Sequence, residues 1–436
     1  ASFKQGSKFV GWLNGDTDDA YYHPFMLPDG GVENDLYPAW RLSAAGSYGN
    51  TVTPQSRICE LKMAPKTLAM PEYGGALNYG YHLDAGQFGA MLQRHCTEKL
   101  GVKYIRDHVV GVTNTAGGAI ERLHTRASGD ISGDLFIDCS GLESSLLGKH
   151  LGVPLVNQQR YSINDTAIAV QVPYISDQDP IESATIATAQ SAGWIWNIGL
   201  STRRGVGYVF SRSHIHEEEA QKELLRYVTN LVGEKVAGGL TYKTISFAAG
   251  HRSQFWYKNC VAIGMASGFI EPLEASALAL VELSAKMIAS EMPMSSLTMP
   301  IVAKKFNSVF LYRWERIIEF LKLHYAISSR RDTDYWRDVT SSESLPDGLR
   351  ERLELWKMRS PNIRDFPQHE EIFPAASYQY VLYGLDYQTQ VTVSRDLGVI
   401  KQQFDENEKK YQKLKSVLPT NRDLINKIMK YEMQSI

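Results

Sequence analysis

The feature that most constrains this chain is the run Asn259-Cys260-Val261-Ala262-Ile263-Gly264-Met265-Ala266-Ser267-Gly268-Phe269-Ile270-Glu271-Pro272-Leu273-Glu274-Ala275-Ser276-Ala277-Leu278. Cys260 to Ile263 is a short apolar strand of the kind buried on both faces of a sheet. It stops at Gly264 and Gly268, which permit close approach of a backbone or a ligand, and Pro272 then turns the chain into an apolar helix. The helix start near Ser276 and Ala277 offers unpaired amides and the positive end of a dipole, a setting for a small anion or a polarised carbonyl. An ordinary buried strand-loop-helix unit has the same pattern, and residue chemistry alone leaves both readings open.

Strands and helices alternate around this unit. Runs rich in β-branched and aromatic residues predict strands at 103–106, 120–126, 135–139, 166–172 and 205–211. Asp84 is a candidate N-cap for a helix reaching Leu100, with Phe88, Met91, Leu92 and His95 on one face and Gly101 ending it. From about Ile301 the pattern turns helical, with an aromatic-rich helix over 306–325, a shorter one over 349–358 and a final pair around Pro419. The interleaving predicts an α/β class. Residues 1–300 are read as the α/β module, including a substrate-pocket sheet, and 301–436 as a mainly helical module.

Charge and cysteine usage exclude several functions. Lys plus Arg number 46 against 48 Asp plus Glu, a net charge of -2 without long blocks of one sign, which argues against nucleic-acid and membrane-surface partners. Cys59, Cys96, Cys139 and Cys260 are far apart and form no C-x-x-C, so a reducing, cytoplasmic setting without disulfides is expected. No apolar run reaches the roughly 18 residues needed to span a bilayer. In His214-Ile215-His216-Glu217-Glu218-Glu219 the alternating histidines could hold an ion, but Ser213 as a cap followed by acids in a first helical turn explains the same residues, and no metal site is expected. There is no G-x-G-x-x-G, phosphate-binding loop, G-x-S-x-G or H-E-x-x-H. The chain opens at Ala1 on residues that read as the interior of a folded element, so an N-terminal extension is expected.

Two motifs together carry a resemblance. The first is the loop ending in Glu271-Pro272-Leu273-Glu274-Ala275, similar to the E-P-L-E-S/A loop of the flavin-dependent tryptophan halogenases. The second is Gly193-Trp194-Ile195-Trp196-Asn197-Ile198-Gly199, similar to that family's W-x-W-x-I-P signature, with Gly199 in place of proline. Further similar segments are 78–84, 134–141, 205–211 and 320–337, so the resemblance covers nearly the whole chain. It implies a flavin monooxygenase or glutathione-reductase-like FAD fold with a helical C-terminal module. Its first β-α-β unit, bearing the glycine-rich nucleotide loop, is expected in the N-terminal extension, and this segment alone is expected to bind FAD poorly.

The resemblance also implies a chemistry. Reduced FAD, delivered by a separate NAD(P)H-dependent flavin reductase, would convert bromide or chloride into hypohalous acid. Lys4, in Ser2-Phe3-Lys4, falls on the lysine that polarises this acid or carries it as a haloamine. Glu274 falls on the carboxylate that stabilises the cationic ring and takes its proton. Trp194 and Trp196 would separate flavin from substrate, His23 and Phe25 would line the indole pocket, and the loop of Gly264, Gly268 and Pro272 with the amides of Ser276 and Ala277 would hold halide and cofactor. Each residue also has a plainer reading: Lys4 as a solvated side chain, the tryptophans as core, Glu274 as a helix-start acid, and His23 and Phe25 as a packed turn.

Members acting on free tryptophan grip its amino-acid part with a tyrosine pair, a glutamate and a Phe-Trp pair. Here the matching positions read Pro361-Asn362, Gln368, Ile372 and Phe373, ahead of Tyr378-Gln379-Tyr380-Val381-Leu382-Tyr383-Gly384. The clamp is absent, which points to indole, a substituted indole or another electron-rich arene, with Phe373 as the stacking residue. The alternatives are a flavin-dependent aromatic hydroxylase and a non-catalytic relative that only binds aromatic ligands.

Overall fold

Gln5 and Gly6 break the first extended segment into two strands that join different sheets, and this break positions the site described below. The computed structural model describes residues 1–31, 34–43, 46–391 and 397–433. The chain forms two compact units, one of residues 1–84, 164–246 and 319–436, the other of 85–163 and 247–318. Both are discontinuous in sequence, and the helix Met299–Ala326 runs through the 300/301 division drawn from the sequence pattern.

The first unit is built on a seven-stranded sheet in the order 242–246, 166–173, 203–210, 193–199, 185–189, 6–10 and 20–24. Neighbours are antiparallel except for 185–189 against 6–10. The helix Glu217–Val232 places Ala220, Leu224, Val228 and Val232 in one buried stripe, in a core with Ile168, Val170, Ile195, Val206 and Tyr208. Because strand side chains alternate, Trp194 and Trp196 lie on the opposite face from Ile195. The segments 334–339, 347–358, 375–384, 397–417 and 421–431 are helical and belong to this unit. The last is tied to the N-terminal strand by buried Asn421, whose amide donates to the Phe3 carbonyl at 3.0 Å.

The second unit pairs Phe136–Asp138 in parallel with Cys260–Ala262. Asn259 clamps this sheet to the strand Ile120–Thr125 through two 2.8 Å bonds, accepting from the Ile120 amide and donating to its carbonyl. Ile120, Phe136, Leu147, Val153, Cys260, Ala262 and Ala266 form its core.

Three local expectations change. The segment 103–106 forms no strand, because it has no ladder partner among the described residues. The helix after Asp84 spans Ala85–Arg94 and continues with wider turns over His95–Lys99, but none of these residues is buried, and the Asp84 carboxylate bonds Arg203 at 2.8 Å. The cap before Glu217 is His216 rather than Ser213, while the three first-turn acids stand as read. His214 bonds the Ser211 hydroxyl at 2.9 Å and Asp338 at 3.1 Å. Among the described residues no helix is long and apolar enough to cross a membrane.

Candidate active site

Lys4 ends the strand Ser2–Lys4, which pairs antiparallel with Gly80–His82 in the register Ser2 to His82 and Lys4 to Gly80. Gln5 enforces the break after it. Its amide donates to the Ser183 carbonyl at 2.7 Å, its carbonyl accepts from Phe25 at 3.0 Å, and its buried side chain donates to the Met63 carbonyl at 2.7 Å. Gly6 permits the turn, since a Cβ there would lie 2.4 Å from the His23 carbonyl oxygen. Lys4 is consequently only 8% exposed, with Nζ 5.7 Å from the centroid of the Phe25 ring, within cation–π range.

Ser2, Lys4 and His82 share a face of this two-stranded ribbon. His82 is buried and bonds the Thr185 hydroxyl at 2.9 Å. Burial, with the positive charge of Lys4, pushes its imidazole down to about 3, so Lys4 has an uncharged neighbour at neutral pH. The Ser2 hydroxyl donates to the Gly199 carbonyl, joining this ribbon to the end of the tryptophan strand. A Cβ on Gly199 would lie 3.1–3.2 Å from Ile181, the Glu182 amide and the Tyr174 hydroxyl.

An aromatic wall stands on the strand Ala20–Pro24. His23 Nε2 bonds the Ser377 hydroxyl at 2.9 Å, and its ring lies 5.6 Å from Phe320, 6.2 Å from Tyr380 and 6.4 Å from Phe373. Phe373 is buried and stacks on Phe320 at 3.9 Å and 22°. Phe25 is 37% exposed. Sequence reasoning missed Phe320, Ser377, Tyr380 and His82. Phe320 and His82 lie in the family-like segments 320–337 and 78–84 and Tyr380 in the quoted run 378–384, but nothing in those segments singles them out, and Ser377 shares a helix face with Tyr380 through a three-residue spacing.

The two indoles lie 6.3 Å apart at 62°, with Trp194 fully buried and Trp196 half-buried. Small cross-strand neighbours make room for them. Trp196 is opposite Ala187 and Gly207, and Trp194 is opposite Ala189. A Cβ on Gly207 would come within 2.2 Å of the Trp196 ring, so glycine is required there.

The second unit holds Gly264, Gly268, Pro272, Glu274, Ser276 and Ala277. Gly264 has φ +63°, and a Cβ on Gly268 would lie 2.6 Å from the Gly250 carbonyl oxygen and 2.7 Å from Trp314. Glu271 is buried and accepts from the Ser162 hydroxyl at 3.2 Å, whereas Glu274 is half-buried. Ala275 adopts a left-handed conformation, φ 54°, immediately before the helix Ser276–Ser290, whose first turn has no side-chain cap. Ser276 is buried and Ala277 exposed. In the same unit, buried Asp138 spends its carboxylate on the loop after its strand, accepting from Ser140, Leu146 and Leu147 amides at 2.8–3.0 Å. The expected site residues thus fall into two sets: Lys4, His23, Phe25, Trp194, Trp196 and Phe373 in the first unit, the loop and Glu274 in the second.

The family model described as tryptophan halogenase matches residues 1–396. The chain belongs to the tryptophan halogenase family and is a flavin-dependent halogenase. It is 34% identical over 407 residues to the tryptophan 6-halogenase SttH of Streptomyces toxytricini, covering 88% of this chain and 76% of that protein. The crystal structure of a tryptophan halogenase from Shewanella frigidimarina NCIMB 400 superposes with a TM-score of 0.96 at 45% identity, over 100% of this chain and 84% of that one. BrvH, a flavin-dependent halogenase from Brevundimonas sp. BAL3, superposes with a TM-score of 0.86 at 28% identity, over 98% of this chain and 85% of that one. The mixed α/β architecture with helical C-terminal elements is that of these structures.

Proposed function

We propose that this protein halogenates a small electron-rich arene, an indole being the first to test, using bromide or chloride and reduced FAD from a separate NAD(P)H-dependent flavin reductase. We place it in the cytoplasm, where its thiols, all unpaired in the fold, stay reduced. The observation that carries the reading is the buried Lys4 ammonium directed at Phe25, on the same unit as the wall of His23, Phe320 and Phe373.

The second unit's residues fit the flavin side of such a site. Gly264 and Gly268 leave a loop without side-chain bulk, and the uncapped first turn at Ser276 and Ala277 offers amides to an anion. When bound, reduced FAD would supply two of the four electrons that O2 accepts, the halide supplying the other two, so that halide, O2 and a proton become hypohalous acid and water. The chain does the rest. Amides at Ser276 and Ala277 hold the halide, and Trp194 and Trp196 separate arene from cofactor. Lys4 donates a hydrogen bond to the oxygen of hypohalous acid, so that the halogen is electron-poor when the ring carbon attacks it. His23, Phe25 and Phe373 hold the arene by its faces. Glu274 stabilises the cationic ring and accepts the proton whose loss restores aromaticity.

The test is kinetic. Lys4→Ala should lower kcat for indole halogenation by about 100-fold or more while indole binding, followed by calorimetry, stays within about twofold. Retention of wild-type kcat in that variant would remove Lys4 from the chemistry.

A further inference from the structure

The strand that bears Lys4 is three residues long and pairs with one other strand of three. A two-stranded ribbon of that size is marginal by itself, so its place depends on what it is fastened to. On one face Phe3 packs with Ala64, Ile181, Leu424 and Ile425, an apolar contact that holds the ribbon down but has no direction. On the other face stand Ser2, Lys4 and His82, and there the contacts are directional.

Ser2 is 2% exposed, and its hydroxyl donates to the carbonyl of Gly199, the last residue of the tryptophan strand. His82, opposite Ser2 in the register, bonds through Nε2 to the hydroxyl of Thr185, the first residue of the strand that pairs with the tryptophan strand. The ribbon is thus fastened to two adjacent strands of the large sheet, one of them the strand that carries Trp194 and Trp196. On the other side of Lys4, the Gln5 amide bonds the Ser183 carbonyl. Lys4 lies between these anchors.

Gly199 suits the Ser2 bond. It stands where the W-x-W-x-I-P signature has proline, and a Cβ there would press on Ile181, the Glu182 amide and the Tyr174 hydroxyl, moving the carbonyl that Ser2 reaches. The Tyr174 hydroxyl donates to the Leu200 carbonyl at 3.0 Å, so the backbone just after Gly199 is fixed as well.

We propose that Ser2 is a positioning residue: its bond to Gly199 sets where the Lys4 ammonium stands relative to Trp194 and Trp196, and so what share of the hypohalous acid reaches the arene rather than solvent. The assignment rests on the halogenase reading above and extends it from the residue that delivers the halogen to the one that holds that residue in place. Losing one buried hydrogen bond, with the misplacement that follows, is expected to appear as a change of about fivefold or more.

The experiment compares wild type with Ser2→Ala, which removes one oxygen and no carbon, in two readouts. In the first, the enzyme turns over with bromide and indole beside a 1,3-diketone that traps hypohalous acid in solution, and both brominated products are counted. The expected result in Ser2→Ala is a ratio of indole product to trap product lowered by about fivefold or more, with their sum within about twofold of wild type. In the second, without turnover, acetylation of Lys4 by acetic anhydride is followed by mass spectrometry, with Lys8, on the strand beyond the Gln5 break, as internal reference. Labelling of Lys4 relative to Lys8 should rise by about fivefold or more. An unchanged product ratio or unchanged Lys4 labelling overturns the proposal. So does a Ser2→Ala protein that does not fold, because the bond then serves the fold and not the placing of Lys4. If wild type brominates neither indole nor trap, the halogenase reading fails instead, and the labelling alone decides whether Ser2 positions Lys4.

Discussion

Lys4 is held by neighbours that need not take part in the chemistry. His82 shares its face and is kept neutral by burial and by the Lys4 charge. In the unfolded chain an imidazole takes up a proton near 6.5, whereas in the fold His82 does so only at about 3. Between those values the unfolded state binds more protons, so stability falls as pH drops below 6.5 and the loss is complete near 3. The contribution is about 2 kcal/mol at pH 5. His82→Gln should flatten this dependence, and urea unfolding at pH 7 and pH 5 of both proteins measures it. An identical pH dependence in the two would contradict the assignment. A second expectation concerns Gly6. Gly6→Ala drives a methyl into the His23 carbonyl, so it should displace Lys4 and Phe25 together, costing about 1–3 kcal/mol in thermal unfolding and lowering halogenation with it.

The tryptophan strand shows what a single element contributes. Both indoles need space on one sheet face, and Ala187, Ala189 and Gly207 supply it from the flanking strands. Gly207→Val should cost about 1–3 kcal/mol, visible as a lower Tm, and should shift tryptophan fluorescence as Trp196 is driven from its place. An unchanged Tm and spectrum would mean the sheet absorbs the methyl groups. The flanking strands were legible, expected at 166–172 and 205–211 and found at 166–173 and 203–210, because β-branched and aromatic residues mark them and antiparallel neighbours complete them. The pattern at 103–106 is equally strand-like, but a strand is defined by its ladder partner, which local composition does not contain. Phe320 illustrates the same limit in helices. Its aromatic character was visible, yet its stacking on Phe373 joins residues that sequence spacing does not connect. Phe320→Ala should therefore destabilise the first unit by about 3–5 kcal/mol in denaturant unfolding.

At the scale of the molecule, chain order and spatial grouping diverge. Residues 85–163 and 247–318 form one unit, while the segments on either side of them return to the other. Contacts such as His23 to Ser377 cross most of the chain, and no window of sequence holds both partners. The family was legible because the motifs around Trp194 and Glu274 are specific in combination. The packing that supports the candidate site was not, because residues such as His82, Ser377 and Phe320 acquire their roles only through the fold.

The most direct test supplies the protein as encoded with FAD, a flavin reductase, NADH and indole, in parallel with bromide, chloride or no added halide, and reads products by mass spectrometry. The account predicts a monohalogenated indole whose added mass follows the halide supplied, absent without halide and absent in Lys4→Ala. A hydroxylated indole formed equally in all three reactions would contradict it and make the protein an aromatic hydroxylase.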